Sequence, residues 1–396
     1  MSSQEQFLTV IDRDEAELRF RAALKLLPLG IERIPVRDSL GRVLAANVLA
    51  QVDVPGFDRS NFDGYAVHAT DTFGSRELAP RSMKLLPENI EAGSAPTAEL
   101  QPGQAVAIAT GGMLPRGADA ILMVEYVEEQ AGLVFVRRAV APGFGVSFTG
   151  TDIAIGETVL RTGTVLTSRE TGVLAALGEE FVNVWRRPRV TIISTGNEII
   201  APGSPMRPGA VYDSNSQILA DAVRELGGMP QVGAIVRDNA DALRAGLQAA
   251  LKDSDVVLLS GGTSKGKGDL CYRVVAELND PGIVVHGVAL KPGKPICMAV
   301  TAGRPVVILP GFPTSAIFTF HEFVAPVLRL LAGRGAQDRT VVPARLAVKV
   351  NSEIGRTEYL LVGLVDSQGI DRSELDALVD RIKATQEGTS SRESRK

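Results

Sequence analysis

The stretch Ser260-Gly261-Gly262-Thr263-Ser264-Lys265-Gly266-Lys267-Gly268-Asp269 gathers glycine, hydroxyl and lysine residues in one short run. An apolar run at 256–259, with the length and β-branched content of a buried strand, precedes it, and a helical pattern over 269–278 follows. Strand, glycine loop and helix in that order turn unpaired backbone N–H groups toward a ligand, and the partial positive charge at a helix N-terminus suits a phosphate. Residues 261–267 match the first seven positions of the Walker pattern G-x-x-x-x-G-K-[ST]. Gly268 stands where the magnesium-holding hydroxyl belongs, which speaks against a P-loop phosphotransferase. The expectation is an anion site, with a loop merely solvated by its lysines as the plainer alternative.

Two more stiff loops follow strand-like runs: Lys291-Pro292-Gly293-Lys294-Pro295 and Leu309-Pro310-Gly311-Phe312-Pro313-Thr314-Ser315. Loops at the strand ends of one α/β unit gather at one crevice. Lys291 and Lys294, three apart and held by prolines, offer a second place for an oxyanion. Carboxylates come to the same edge: Glu198 after a strand at 190–194, Asp238 after one at 231–236, and Asp269 at the end of the glycine loop. Acids beside a phosphate repel it unless a divalent cation lies between them, so Mg²⁺ is expected, with Glu198 and Asp269 the leading ligands and Asp238 the third. Helix capping by Asp269 and Asp238 is the alternative. His68, His286 and His321 have no metal-triad spacing, and no Ser-His-Asp or Cys-His arrangement can be drawn.

In the first half of the chain, Pro55-Gly56-Phe57-Asp58-Arg59-Ser60-Asn61-Phe62-Asp63-Gly64-Tyr65-Ala66-Val67 is a loop dense in hydrogen-bonding side chains that leads into a strand. Such loops carry function, although turn and capping roles explain Asp58, Ser60 and Asn61 equally well. Thr110-Gly111-Gly112 ends another strand, and a plain turn is the simpler account of it.

These loops need elements to hold them. Residues 12–27 have amphipathic helix spacing ended by Pro28, a short helical pattern covers 39–46, and Ser168 is placed to cap a helix at 169–177. Between 84 and 140, short apolar runs alternate with Gly and Pro turns, the pattern of a small β domain. Beyond Trp185 strands alternate with helices at 214–226 and 239–251, which predicts right-handed crossovers and a mostly parallel sheet. A helix at 314–331 carries His321. The full chain of 396 residues, 45% apolar, calls for several domains. The expected divisions are 1–185 with a β insert at about 50–145, 186–332, 333–366, and a helical segment with a disordered tail at 367–396. A net charge of −4 with interspersed signs argues against a nucleic-acid stripe or membrane patch. Cys271 and Cys297 lack C-x-x-C spacing, residues 1–10 lack signal-peptide character, and no apolar run approaches the roughly 18 residues of a membrane span, so a soluble cytoplasmic protein is expected.

With these residues in view, the chain resembles the molybdopterin molybdotransferases, the MoeA family, which includes the gephyrin E domain. The matching segments are 55–67, Thr110-Gly111-Gly112 with Pro115 and 117–120, Ser194-Thr195-Gly196-Asn197-Glu198, 260–269, 291–295 and 309–315. The resemblance implies a MogA-like α/β central domain beside an elongated α+β N-terminal region with a β-rich subdomain and a partial C-terminal β domain. It also implies an elongated homodimer that inserts molybdate into adenylylated molybdopterin and releases AMP, with magnesium. Carried over, Gly261, Gly262, Ser264 and Asp269 form the nucleotide and phosphate loop, joined by Pro295, Pro310, Gly311 and Pro313 as substrate-binding positions. Glu198 and Asp269 hold the metal, and molybdate lies near Lys291, Lys294 and Ser315. Asp63 and Thr110 come from the partner subunit. A carrier that holds molybdopterin without turnover is the rival expectation.

Two departures bear on it. Gly287 stands where many members have a lysine. Gly355-Arg356-Thr357-Glu358-Tyr359 looks like the start of the family's C-terminal β domain, but after Asp366 the text turns into a charged helical pattern and a polar tail instead of glycine-rich strands.

Overall fold

A computed structural model describes residues 10–261, 270–335, 342–344, 346, 349–352 and 354–364. The chain divides into two compact units, residues 31–184 and a discontinuous unit made of the N-terminal residues to 30 with those from 185 onward. No helix among the described residues is long and apolar enough to cross a membrane.

The discontinuous unit is built on a six-stranded sheet in the spatial order Met229–Val232, Arg189–Ser194, Val256–Ser260, Arg304–Leu309, Cys297–Thr301, Pro281–His286. The first four are parallel neighbours. Cys297–Thr301 runs antiparallel to both of its neighbours, so the sheet is mixed, with five strands in one direction and this one reversed. The cause is local: Ala302 and Gly303, both at positive φ, join Cys297–Thr301 to Arg304–Leu309 in a two-residue hairpin, which forces the second strand to reverse.

Alternation along each strand sends side chains to two cores. Val190, Ile192, Val256, Leu258, Val307 and Leu309 meet Leu219 and Val223 of the helix Asn215–Glu225. Ile193, Val257, Leu259 and Ile308 face Leu243 and Leu247 of the helix Ala240–Asp253, together with Val274 of Leu270–Val275. The helix Arg13–Ala22, capped by Asp12, adds Ala16 and Phe20 to the first core. It stops well before Pro28, because the chain turns there to lay Leu24, Leu26 and Leu29 against that same core. The segment expected as one helix over 314–331 is Pro313–Thr319, a π turn at Phe320–Val324, and Ala325–Leu331.

In the unit 31–184, six strands lie in the order Ala120–Met123, Gly64–Val67, Gln104–Ile108, Arg81–Ile90, Leu133–Val136, Val127–Gln130. Ala66 and Val67 face opposite sides, each into its own small core. The expected helix at 39–46 is absent. Val43 and Leu44 are extended and bridge Val165 and Val184, and Leu44 is buried with Leu166, Leu174 and Val182. The next helix is Ser168–Ala176, and its cap is Thr167 rather than Ser168. Thr167 lies three residues before Glu170, so the two form a capping box.

Candidate functional site

The strand order makes the first strand of the sheet, Arg189–Ser194, lie between the second, Met229–Val232, and the third, Val256–Ser260. That reversal is a topological switch point, where loops leaving the carboxyl ends diverge and open a crevice. Three loops meet there. Gly261 N–H donates to Leu309 O at 3.3 Å, and a Cβ on Gly311 would stand 3.8 Å from Gly261 Cα. At Gly261 φ is +106°, and a Cβ would lie 2.4 Å from Thr195 O, so only glycine brings this loop so close to its neighbour.

Asn215 ties the crevice together, a residue the sequence reading did not single out. Its Nδ2 donates to Ser260 Oγ at 2.9 Å and to Gly311 O at 2.8 Å, which joins the ends of two strands from the first residue of a helix. Both amide hydrogens are used, so the side chain is fixed. Ser194 lies opposite Ser260 in the parallel register, on the same face of the sheet. Asp213, two residues before Asn215, accepts from Ser216 N–H at 3.0 Å. The clue in the sequence was a polar run, Asp213-Ser214-Asn215-Ser216, at a helix start beneath a strand end.

The acids expected at this edge are only partly assembled. Glu198 is exposed, and its carboxylate folds over Gly196, where a Cβ would sit 2.7 Å from Oε2. Asp238 accepts from Asn197 Nδ2 at 2.9 Å, so the loops after two adjacent strands are linked through Asn197. Asp238 does not cap the following helix; Asn239 does, accepting from Ala242 N–H. No group of three His, Cys, Asp or Glu side chains able to hold a metal occurs among the described residues. Gly262, Ser264 and Asp269 lie outside the described residues. Exposed carboxylates on neighbouring strand ends suit a hard cation that prefers oxygen ligands, so Glu198 and Asp238 fit magnesium in kind.

The lysine loop is held against the helix that bears Ser315. Gly293, with φ +114°, lies so near that a Cβ would reach 2.3 Å from Thr319 Cγ2. Thr319 Oγ1 in turn donates to Ser315 O at 2.7 Å. Thr319 thus carries two of the predicted segments, and it too escaped the sequence reading. Lys291 Nζ pairs with Glu358 at 3.0 Å. Lys294 and Pro295 are half-buried, Pro310 is buried, and Gly311 and Pro313 are exposed.

In the other unit, Asp63 and Thr110 form a pair. Gly64 stands opposite Ile108 in an antiparallel ladder, so the residues just beyond that end meet. Asp63 Oδ1 accepts from Thr110 N–H at 2.7 Å and from its hydroxyl at 2.8 Å. The backbone hydrogen bond, and then the hydroxyl, hold the Asp63 carboxyl below its ordinary range. The rest of that loop is structural. Asp58 accepts from Thr149 N–H and Oγ1, both at 2.8 Å, Ser60 donates to Phe62 O, and Asn61 accepts from Ser147. A cavity of about 260 Å³ in this unit, lined by Leu44, Asn47, Leu174 and Asn183 among others, contains neither Asp63 nor Thr110.

Fold and crevice define the class, an α/β domain with a switch-point site joined to a β-rich N-terminal unit. Residues 11–178 match the MoeA N-terminal region (domain I and II), and residues 191–330 match the family described as "Probable molybdopterin binding domain". Molybdopterin molybdenumtransferase 2 of Mycobacterium tuberculosis is 37% identical over 82% of this chain and 81% of its own length. The molybdopterin molybdenumtransferase of a Nostoc species is 37% identical over 81% and 74%. The crystal structure of a molybdopterin biosynthesis MoeA protein from Pyrococcus horikoshii superposes with a TM-score of 0.73 at 39% identity, covering 83% of this chain and 81% of that one. The chain belongs to the MoeA family. These relatives favour neither a P-loop phosphotransferase nor a passive carrier.

Proposed function

We propose that this protein inserts molybdate into adenylylated molybdopterin and releases AMP, a transferase step in molybdenum cofactor synthesis. Supporting it is the convergence of Thr195, Gly261, Gly311 and Asn215 at the switch point of a sheet whose family is described as molybdopterin-binding. In this reading Gly261, Gly262, Ser264 and Asp269 cradle the phosphates. Pro295, Pro310, Gly311 and Pro313 line the pterin and nucleotide path. Molybdate is held by Lys291, Lys294 and Ser315. Asp63 and Thr110 complete the site from the partner of a homodimer, working in the cytoplasm.

Two anions must be held side by side, and their repulsion is the barrier this site has to offset. The lysines do so by charge, and the backbone N–H groups of the glycine loop do so by fixed dipoles that need no reorganisation. Glu198, Asp269 and Asp238 would hold Mg²⁺, which supplies positive charge beside the departing phosphoryl group. Asp63, kept ionised by Thr110, can accept a hydrogen bond or hold a proton-bearing substrate atom without itself needing protonation.

The test is AMP release from adenylylated molybdopterin with molybdate and Mg²⁺, with Glu198→Ala alongside. Release that needs molybdate and falls at least tenfold in the variant is the expected result. Tight nucleotide binding with no release would replace the insertase with a carrier.

A further inference from the structure

The described C-terminal residues include a short strand whose place bears on the lysine loop. Thr357–Glu358 pairs in parallel with Leu290–Lys291, Leu290 opposite Thr357 and Lys291 opposite Glu358. Thr357 N–H donates to Ala289 O at 2.9 Å and Tyr359 N–H to Lys291 O at 2.8 Å, which fixes the register. Opposed residues of a ladder present their side chains to one face, and here Lys291 Nζ meets Glu358 Oε1 at 3.0 Å. The Glu358 side chain is 16% exposed and that of Lys291 48%. The acid is therefore held in the protein while the ammonium reaches toward water.

The strand is anchored from its other side. The Tyr359 ring stacks on Phe318 with centroids 5.7 Å apart, and its hydroxyl bonds to Glu322, itself buried and paired with Arg13. Lys291, and then Ser352, hold the Glu358 carboxyl below its ordinary range, so it is ionised at neutral pH.

An ammonium has three N–H donors and a flexible stem. One donor is taken by Glu358, and among the described residues no partner takes the other two. Two effects oppose each other. Glu358 subtracts charge from the place where an oxyanion would bind, and it also removes the rotational freedom the anion would otherwise have to freeze. Lys291 is half-exposed, so solvent and salt screen the first effect, whereas the second is not screened.

We propose that Glu358 is a positioning residue for oxyanion binding: it holds the Lys291 ammonium from behind and presents its remaining donors to molybdate. The strand at 357–358 then belongs to the oxyanion site although it lies outside the six-stranded sheet. This rests on the insertase reading above.

The experiment measures the molybdate KM in AMP release for wild type, Glu358→Ala and Glu358→Gln, with nucleotide affinity and Tm recorded for each. Glutamine keeps an acceptor for Lys291 and removes the charge; alanine removes both. The expected result is a molybdate KM raised about three- to tenfold in Glu358→Ala, the range that immobilising one rotamer-rich side chain costs a ligand, and restored to within about twofold in Glu358→Gln. Nucleotide affinity stays the same. An unchanged KM in Glu358→Ala overturns the proposal. A KM lowered in both variants also overturns it, and shows that Glu358 acts as a repelling charge. Equal losses in Tm, kcat and both affinities would leave a purely structural strand. Should wild type release no AMP, the insertase reading fails by itself, and calorimetric titration of molybdate alone decides this one: affinity weakened in Glu358→Ala and recovered in Glu358→Gln supports it, and equal affinities end it.

Discussion

Asp63 accepts two hydrogen bonds from one residue, Thr110, through its backbone N–H and its hydroxyl, because the Gly64–Ile108 register closes just inside them. A carboxyl so held has a lowered folded-state pKa. Its contribution to stability is therefore present above the unfolded carboxylate range and is lost as pH falls through the lowered folded value. Thr110→Ala removes the hydroxyl and keeps the N–H. The Asp63 pKa is expected to rise only part of the way to its ordinary value, as read by NMR titration of the side-chain carboxyl, while Thr110→Ser leaves it in place.

Gly261→Ala places a methyl 2.4 Å from Thr195 O in a left-handed backbone conformation. The expected cost is about 1–3 kcal/mol in thermal or urea unfolding. Nucleotide binding weakens with it, because the loop must move away from Thr195.

Gly293→Ala drives its new carbon into Thr319 Cγ2. Thr319→Ser removes that methyl and retains the hydroxyl that bonds Ser315 O. The double variant is expected to recover part of the stability lost in Gly293→Ala, with a coupling of about 0.5–3 kcal/mol in a double-mutant cycle. Strict additivity would mean the lysine loop does not rest on that helix.

Asn215→Ala leaves Ser260 Oγ and Gly311 O without their shared donor. Loss of a buried partner costs about 1–3 kcal/mol, and Asn215→Asp does not rescue, since a carboxylate has no N–H to give. Denaturant unfolding of the two variants checks both statements.

Burial, and then the hydrogen bond to Glu322, push the Tyr359 hydroxyl up to about 12. Its folded pKa lies above the ordinary value near 10, so its stabilising contribution is complete below that value and disappears as pH rises through about 12. Tyr359→Phe is expected to flatten the alkaline limb of stability against pH, followed by fluorescence between pH 9 and about 12.

The alternation of strands and helices beyond Trp185 could be read from period alone, and the helices at 215–225 and 240–253 fall within two residues of their expected limits. What failed did so where distant contacts outweigh local preference. Residues 39–46 have helical spacing, yet Val43 and Leu44 gain more by pairing with Val165 and Val184. The one reversed strand was legible in principle, since Ala302-Gly303 between two apolar runs is a two-residue hairpin signal. The glycine and lysine loops stood out by composition. Asn215, Thr319 and Glu358 did not, because each matters through a partner from 26 to 96 positions away, such as Gly293 or Gly311, that no local pattern reveals.

The helix Arg13–Ala22 packs on Pro281–His286 and Cys297–Thr301, and Ile11 bridges Val288, although residues 31–184 form a unit of their own in between. During synthesis this helix emerges before its partners, which appear only after the whole of the inserted unit has been made. The inserted unit can fold in the meantime and bring the two halves of its host nearer, which shortens the loop that must close. The helix Arg13–Ala22 thus cannot dock on its strands until residues well past the inserted unit have been made.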